Sequence, residues 1–269
     1  MQPEESIHSQ YSPGPAFPPG PVAPVWHTVV LIAGIVLISL AGAEQTSRQA
    51  QVNRLQTYAF TAATELAMLA WVWFGLRLRK ISFRSLFGSI SGTPRSIAID
   101  IGLALAFWLG ALFVLANVAV YWTLAEAAIT HHPFTLPGKQ IPTDPSQQKT
   151  IHTLTLLAPA SATEIIAWIA LCILAGIAEE LIFRGYLQRQ FTGWARGAVA
   201  AGVIGSALFF GAAHGYQGAR SMVLLSVFGI LFSLLAVFRR SLRPGIFAHA
   251  WQDVCAGLLL SVLHSHHKL

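Results

Sequence analysis

The stretch AGIAEELIFRG, residues 175–185, places two adjacent glutamates and an arginine inside an otherwise apolar segment. A charged side chain at the centre of a bilayer costs about 2.5–3.5 kcal/mol on insertion scales. Such side chains are retained where they meet partners, water or a reaction. Glu179, Glu180 and Arg184 are therefore the first candidates for a functional site, and the segments around them decide the fold class.

The composition is that of a membrane protein. The 269 residues are 54% hydrophobic and 10% charged, and the mean hydropathy is +0.58; soluble domains average about 25% charged residues. About 20 apolar residues cross the hydrocarbon as a helix, and stretches of about 17 or more qualify. We predict an all-α, polytopic transmembrane helical bundle of about seven spans. The predicted spans are Trp26–Ala43, Gln56–Leu76, Ile97–Trp122, Thr163–Tyr186, Gly197–Ala213, Ser221–Phe238 and Gly245–His264.

The basic residues indicate how the chain is oriented. The net charge is +6, but the charges lie between the predicted spans and form no single patch, so we predict contact with membrane lipid and no nucleic-acid partner. The connection 77–95 carries five Lys or Arg residues, and the connections after the fourth and sixth spans are also basic. The positive-inside rule puts these even-numbered connections and the N-terminus in the cytoplasm. We expect an integral, multi-pass protein of a bacterial inner (cell) membrane.

The chain divides into a tail and one membrane domain. Residues 1–24 hold seven of the fourteen prolines and no Lys or Arg, which predicts a disordered, Pro-rich cytoplasmic tail. Residues 25–269 form the transmembrane domain, and the motifs that contain the candidate catalytic residues lie within 160–260. The longest connection, 123–162, contains adjacent histidines at 131 and 132, which we interpret as polar loop residues rather than as a metal site.

The spacing of the charged residues separates the two glutamates. Glu180 and Arg184 are four residues apart and share a helical face. A guanidinium suits a buried bidentate pair, so Arg184 is expected to neutralise Glu180 as a structural ion pair. Glu179 is turned about 100° away, lacks that partner and can act as a base. The alternative is an ion pair that serves helix packing only.

Two later apolar segments supply possible partners. FGAAH, residues 210–214, ends in His214, which on its own would be an interfacial residue between helices. HAWQD, residues 249–253, puts His249 and Asp253 four residues apart on one helical face. These two side chains could bind a metal together, or one could orient the other. A structural hydrogen-bonded pair between helices is the alternative.

Two other acidic residues fall in predicted spans. Glu65 lies deep in the second span, and we interpret it as a structural hydrogen-bonding residue that reaches another helix. Asp100 lies at the start of the third span beside the basic connection, so we predict an interfacial position for it.

The three motifs together resemble a known family. Glu-Glu-x-x-x-Arg at 179–184, Phe-x-x-x-His at 210–214 and His-x-x-x-Asx at 249–253 follow one another on separate helices. This order resembles the CPBP family, which comprises the type II CAAX prenyl proteases and their bacterial relatives. The continuation FRGYL at 183–187 also matches the family pattern. The resemblance covers about residues 160–260.

The resemblance implies an intramembrane peptidase with a helical fold around a water-accessible catalytic cavity. Carried over, it implies that Glu179 and His214 activate a water molecule, and that His249 and residue 253 stabilise the oxyanion; Glu180 belongs to the same catalytic set. The prenyl-protease branch usually has Asn at the last position, where this chain has Asp253. An ionised aspartate cannot donate a hydrogen bond to an oxyanion, so its role stays open.

The sequence does not decide whether a metal takes part. Zinc is a candidate cofactor, with Glu179, His214, His249 and Asp253 as candidate ligands, because zinc takes about four ligands and activates water. No His-Glu-x-x-His helix is present, and the family has been described both as metalloprotease and as glutamate-dependent. The predicted partner is a peptide or protein substrate, and whether it is lipidated stays open.

Three functions fit these residues. The leading one is an intramembrane endopeptidase that hydrolyses peptide bonds by Glu/His-activated water, as CAAX proteases do. The second is a non-catalytic membrane scaffold or immunity protein of the same fold. The third is a proton-coupled transporter, since intramembrane Glu and His also build proton relays. The presence of all three motifs favours the enzyme.

The depths of the motifs along their predicted spans do not match simply. If the chain turns near Trp194, the depths of Glu179 and His214 differ by roughly 7 Å at about 1.5 Å per residue. His249 lies much nearer the predicted start of its span. Either the last span begins earlier, or the helices are staggered.

Overall fold

A computed structural model describes residues 20–48, 53–130, 151–152 and 154–265. These residues form helices and no strand. The α-helices are α1 (Val25–Arg48), α2 (Arg54–Leu78), α3 (Pro94–Thr130), α4 (Ala162–Glu179), α5 (Gln188–Trp194), α6 (Val199–Ala213), α7 (Ala219–Arg239) and α8 (Arg243–Ser265). A π-helix, Glu180–Leu187, joins α4 to α5, and 3₁₀ turns occupy Phe83–Phe87 and Gly215–Gln217.

The architecture confirms the predicted all-α, polytopic bundle. Within the described ranges, six helices are long and apolar enough to cross a membrane. Large apolar side chains remain on the outside of the bundle, among them Phe113, 72% exposed, and Phe238, 78% exposed. A soluble protein rarely exposes so many such side chains, whereas lipid covers them in a membrane. The protein is therefore an integral, multi-pass membrane protein.

The fifth predicted span is shorter than the others. It corresponds to α6, which has 15 residues and measures about 22 Å, less than the roughly 30 Å of the hydrocarbon. The helix is held closely against α7, because a side chain at Gly211 would collide with the Met222 carbonyl. Small residues at such an interface let two helix backbones approach.

The fourth predicted span is one part of a longer rod. Helix α4, the π-helix and α5 run continuously over Ala162–Trp194, eight residues beyond the predicted end. His249 lies near the start of α8, yet its Nδ1 is 3.1 Å from Oε1 of Glu180 in the middle of the rod. The helices are therefore staggered. This explains why His249 lies nearer the start of its span than the other motif residues do in theirs.

The residues just before α1 are packed against the rod. Residues 1–19 of the predicted tail lie outside the described part of the chain. The backbone N–H groups of Val22 and Ala23 donate to Oε1 of Gln190 at 2.7 and 3.0 Å, and its Nε2 donates to the Ala23 carbonyl at 2.8 Å. The last residues of the predicted tail are thus part of the folded domain.

A buried polar chain joins α1 and α2 to the π-helix. His27 donates from Nε2 to the Trp71 carbonyl, and its Nδ1 lies 2.8 Å from Oη of Tyr186. Thr28 Oγ1 is also 2.8 Å from that hydroxyl. Because a carbonyl only accepts, Nδ1 of the neutral ring accepts from Tyr186. The hydrogen bonds among His27, Thr28, Trp71 and Tyr186 attach the N-terminal helices to the rod.

The even-numbered connections meet at one end of the bundle. Asp100, at the start of α3, is fully buried and accepts from Nε of Arg239 at 2.7 Å. Arg243, at the start of α8, also pairs with Asp100 and donates to the Ser91 carbonyl at 2.7 Å. Asp100 therefore lies at the basic end, as predicted, but inside an ion-pair network rather than at an open interface.

The opposite end gathers the odd-numbered connections. Nε of Arg54, at the start of α2, donates to the Leu156 carbonyl at 3.0 Å. Helix α3 continues to Thr130, so the first residues of the predicted loop 123–162 are helical. The adjacent histidines at 131 and 132 lie outside the described residues. The described helices thus run back and forth between two ends of the bundle, and the basic end is the one expected to face the cytoplasm.

We predict that Asp100→Asn lowers the free energy of unfolding by about 3 kcal/mol, because two arginines lose their shared buried partner. Arg239 is 30% exposed, which limits the loss. Thermal and denaturant unfolding in detergent micelles measures the effect. The matched control is Glu164→Gln, since the Glu164–Arg54 pair is partly exposed at 3.8 Å and is expected to contribute less than about 1 kcal/mol. Equal losses in both variants would contradict the structural role of Asp100.

Candidate active site

The second half of the glutamate motif lies in a π-helix. The backbone N–H of Gln188 bonds the Phe183 carbonyl five residues back, and every residue of Glu180–Leu187 is buried. Ser206 on α6 also donates to that carbonyl, at 2.6 Å. The α-helical periodicity assumed from the sequence therefore stops at Glu180. Single π turns inside α-helices are rare and often mark functional sites.

A buried ion pair forms the base of the site. Nη1 of Arg184 is 2.8 Å from Oε1 of Glu180, and neither side chain is exposed. The same Oε1 is 3.1 Å from Nδ1 of His249, and Nη2 of Arg184 donates to the Gly229 carbonyl at 3.4 Å. These contacts tie the π-helix to α7 and α8.

Aromatic rings and a glycine enclose this pair. The guanidinium carbon of Arg184 lies 4.4 Å from the ring centroid of Phe210 and 4.9 Å from that of Phe232. A cation over an aromatic face is attracted by the ring quadrupole, more strongly where water is excluded. A Cβ at Gly245 would lie 2.9 Å from Oε2 of Glu180, so glycine is needed for α8 to come this close.

Two further carboxylates surround the other nitrogen of His249. Nε2 lies 3.6 Å from Oε2 of Glu179 and 3.7 Å from Oδ2 of Asp253. The side chains of Glu179 and Asp253 are 17% and 35% exposed, whereas Glu180 is not exposed at all. A protonated imidazole donates from both nitrogens, so His249 can serve the buried and the accessible carboxylates together.

His214 closes α6 in a defined tautomer. Its Nδ1 is 2.8 Å from the Phe210 carbonyl. A carbonyl oxygen only accepts, so Nδ1 carries the proton and Nε2 of the neutral ring keeps its lone pair. The ring of Phe210 lies between the two histidines, at 4.9 Å from that of His214 and 6.0 Å from that of His249. Phe210 thus contacts the histidine of the second motif and the histidine of the third motif.

The environment of Glu65 is not the one predicted from the sequence. It is 7% exposed, and its Oε2 has no hydrogen-bond partner among the described residues. The structural hydrogen bond expected for it is absent at that atom. Glu65 instead interacts electrostatically with Glu179 and His249. A single acidic residue in a span carries no signal of its partners, which is why the sequence could not assign it to the site.

Tyr216 is a site residue that the sequence analysis missed. It lies in the 3₁₀ turn after α6, and its ring centroid is 6.0 Å from that of His214. The phenol interacts electrostatically with three carboxylates, those of Glu179, Asp253 and Glu65. Its only signal in the sequence is its position two residues after His214.

The candidate zinc ligands are not gathered into one donor group among the described residues. Among them, no group of three or more His, Cys, Asp or Glu side chains is arranged to hold a metal ion. His249 contacts Glu180 through Nδ1, and its Nε2 faces Glu179 and Asp253 at 3.6 and 3.7 Å. The metalloprotease interpretation therefore finds no support in the donor geometry.

Comparison with known proteins supports the resemblance. The family model "Type II CAAX prenyl endopeptidase Rce1-like" matches residues 161–255, a segment that contains all three motifs. No curated protein and no solved structure matches the chain. The matched segment is similar to a CAAX-protease-type intramembrane endopeptidase domain, as the order of the motifs predicted.

We predict that Arg184→Met destabilises the protein by about 3–5 kcal/mol, because Glu180 is left as a buried charge without its cation. The double variant Glu180→Gln, Arg184→Met should recover part of the loss, since it removes both charges. Unfolding in micelles measures the cycle, with the exposed Arg84→Met as the control. Additive losses in the double variant would contradict a coupled pair.

Proposed function

We propose that this chain, through its Rce1-like segment 161–255, is an intramembrane endopeptidase in which Glu179 and His214 activate a water molecule. The observation that carries the proposal is the unequal exposure of the adjacent glutamates. Glu180 is fully buried in its ion pair, whereas Glu179 is 17% exposed beside His249. A partly exposed carboxylate that lies beside a histidine is suited to general base catalysis.

The proposed reaction needs two acceptors for one water molecule. Water lies between Glu179 and Nε2 of His214, and one of its protons passes to Glu179 as its oxygen attacks the peptide carbonyl. The carbonyl oxygen becomes an oxyanion. Glu179 then returns the proton to the departing nitrogen, the carbon–nitrogen bond breaks, and a carboxylic acid and an amine result. The tautomer of His214, set by the Phe210 carbonyl, keeps Nε2 as the acceptor.

Glu180 and Arg184 have a positioning role in this proposal. Glu180 holds Nδ1 of His249, which turns Nε2 toward Glu179 and Asp253. Nε2 is then the nitrogen that can donate a hydrogen bond to the oxyanion. Donors fixed in advance where charge develops are typically the largest contribution to acyl-transfer catalysis.

The proposed substrate is a peptide segment that reaches the site from the membrane or its surface. The matching family is described as a CAAX prenyl endopeptidase, so a lipidated C-terminal peptide is one candidate and an unmodified peptide the other. No step of the proposal passes through a metal ion, because the described residues offer no group of three or more metal-binding side chains.

We predict that Glu179→Gln and His214→Gln each lower kcat by about 10²- to 10⁴-fold, the range typical of a general base. Purified protein in detergent is assayed with a fluorogenic peptide library, prenylated and unprenylated, with and without a chelator. Unfolding midpoints near that of the wild type show that the loss is chemical. Glu164→Gln, which lies in a partly exposed ion pair, is the control and should retain full activity.

The same assay separates the competing functions. Wild-type cleavage that withstands the chelator supports the glutamate-dependent reaction, whereas loss of cleavage on chelation would contradict it. If neither the wild type nor Glu179→Gln cleaves any peptide, the result contradicts the peptidase and favours the non-catalytic scaffold or immunity protein.

A further inference from the structure

The proposed site lacks one hydrogen-bond donor for the oxyanion. His249 can supply one from Nε2. The position four residues later holds Asp253, whose ionised carboxylate only accepts hydrogen bonds. Glu179 and Asp253, which flank Nε2 of His249, supply carboxylate oxygens rather than donors. Some other group must therefore bind the developing negative charge.

We infer that the phenolic O–H of Tyr216 donates the second hydrogen bond to the oxyanion. This inference rests on the proposed peptidase function. Tyr216 would touch the reacting oxygen itself and would thus be a catalytic residue, in a role that the sequence pattern left to residue 253.

The chain geometry holds Tyr216 beside the water-activating histidine. Helix α6 ends at Ala213, and the 3₁₀ turn Gly215–Gln217 brings the Tyr216 ring to a centroid distance of 6.0 Å from that of His214. Gly218 has φ of +96°, which glycine adopts without strain, and it directs the chain into α7. The turn is therefore fixed at both ends, as a preorganised donor requires.

Helix α1 supports the same turn from the other side. A Cβ placed on Gly42 would come within 4.0 Å of the Tyr216 Cβ, so the two backbones lie close together. Ser39, one turn earlier on α1, donates from Oγ to the Ala212 carbonyl at 3.3 Å. These contacts anchor the end of α6 and the turn against α1.

The phenolic proton is available for a substrate. Nε2 of Gln217 donates to the Tyr216 oxygen at 3.0 Å, so this oxygen acts as the acceptor in that bond. No acceptor for the phenolic proton occurs among the described residues. A phenol that accepts one hydrogen bond becomes a better donor, since linked hydrogen bonds polarise one another.

A neutral donor suits this electrostatic setting. The phenol lies within interaction range of Glu179, Asp253 and Glu65. A lysine or arginine at this place would pair with one of these carboxylates and could also neutralise the base. A tyrosine hydroxyl offers a directed proton without adding charge, so Glu179 stays available to accept the proton of water.

The oxyanion forms and collapses while both of its donors keep their protons. As the water oxygen bonds to the carbonyl carbon, the π electrons of that carbonyl move onto its oxygen, and a proton of the water moves to Glu179. The oxyanion accepts hydrogen bonds from Tyr216 and from Nε2 of His249, and both donors keep their protons. When the carbon–nitrogen bond breaks, the carbonyl re-forms and the proton on Glu179 passes to the amine.

The test compares Tyr216→Phe with wild type on a peptide that the wild-type protein cleaves. We expect kcat to fall roughly 10²- to 10³-fold, as for the loss of one oxyanion donor, with KM nearly unchanged. A phosphinic analogue of that peptide, which mimics the tetrahedral oxyanion, should lose affinity by a similar factor. The matched control is Tyr58→Phe, which removes a hydroxyl bonded to the Leu157 carbonyl and to none of the proposed catalytic residues, and should retain kcat.

The outcomes distinguish this inference from the proposed function. Full kcat in Tyr216→Phe, together with loss of activity in Glu179→Gln, would overturn the role of Tyr216 and leave the peptidase intact. A rise in KM with unchanged kcat would also overturn it, because the hydroxyl would then bind the ground state and the transition state equally. Absence of cleavage by the wild type would instead contradict the proposed function.

Discussion

The ion pair between Glu180 and Arg184 is the constraint on which the rest of the site depends. Both side chains are completely buried, and a buried charge is tolerated only with close, well-oriented partners. Those partners come from three other helices: the Phe210 ring on α6, the Gly229 carbonyl on α7 and the His249 ring on α8. These contacts hold the three helices around the π-helix, each at a different point along its length.

The same constraint explains why two adjacent acids behave differently. Glu180 uses Oε1 to bind both Arg184 and His249, and it has no contact with solvent. Glu179, one residue earlier at the end of α4, faces Nε2 of the same histidine through Oε2, and its side chain is partly exposed. His249 therefore links a structural carboxylate to a reactive one. Removal of Glu180 is therefore expected to release the His249 ring, and through that ring to affect Glu179.

The sequence predicted the helices and the local pairs well, because both follow from periodicity. Long apolar stretches predicted the crossings, and the spacing of Glu180 and Arg184 predicted their ion pair. It did not predict the π-helix, whose wider turn depends on packing against α6 through Ser206. It also could not assign Glu65 or Tyr216 to the site. Contacts between residues far apart in the chain leave no periodic signal, and a single acidic or aromatic residue is equally compatible with structural roles.

The short helix α6 has a consequence for the chemistry. At about 22 Å it is roughly 8 Å shorter than the hydrocarbon, so one of its ends, either the connection before it or the turn Gly215–Gln217 after it, is expected to lie within the hydrocarbon. Non-helical backbone at that depth is tolerated only where protein buries it or where it lines a water-filled cavity. Here α1 covers one side of the turn through Ser39, while His214 and Tyr216 lie near the partly exposed carboxylates. Water on the open side of the turn would satisfy the irregular backbone and would also serve the proposed hydrolysis, so a hydrolytic site inside the membrane is compatible with the stability of the fold.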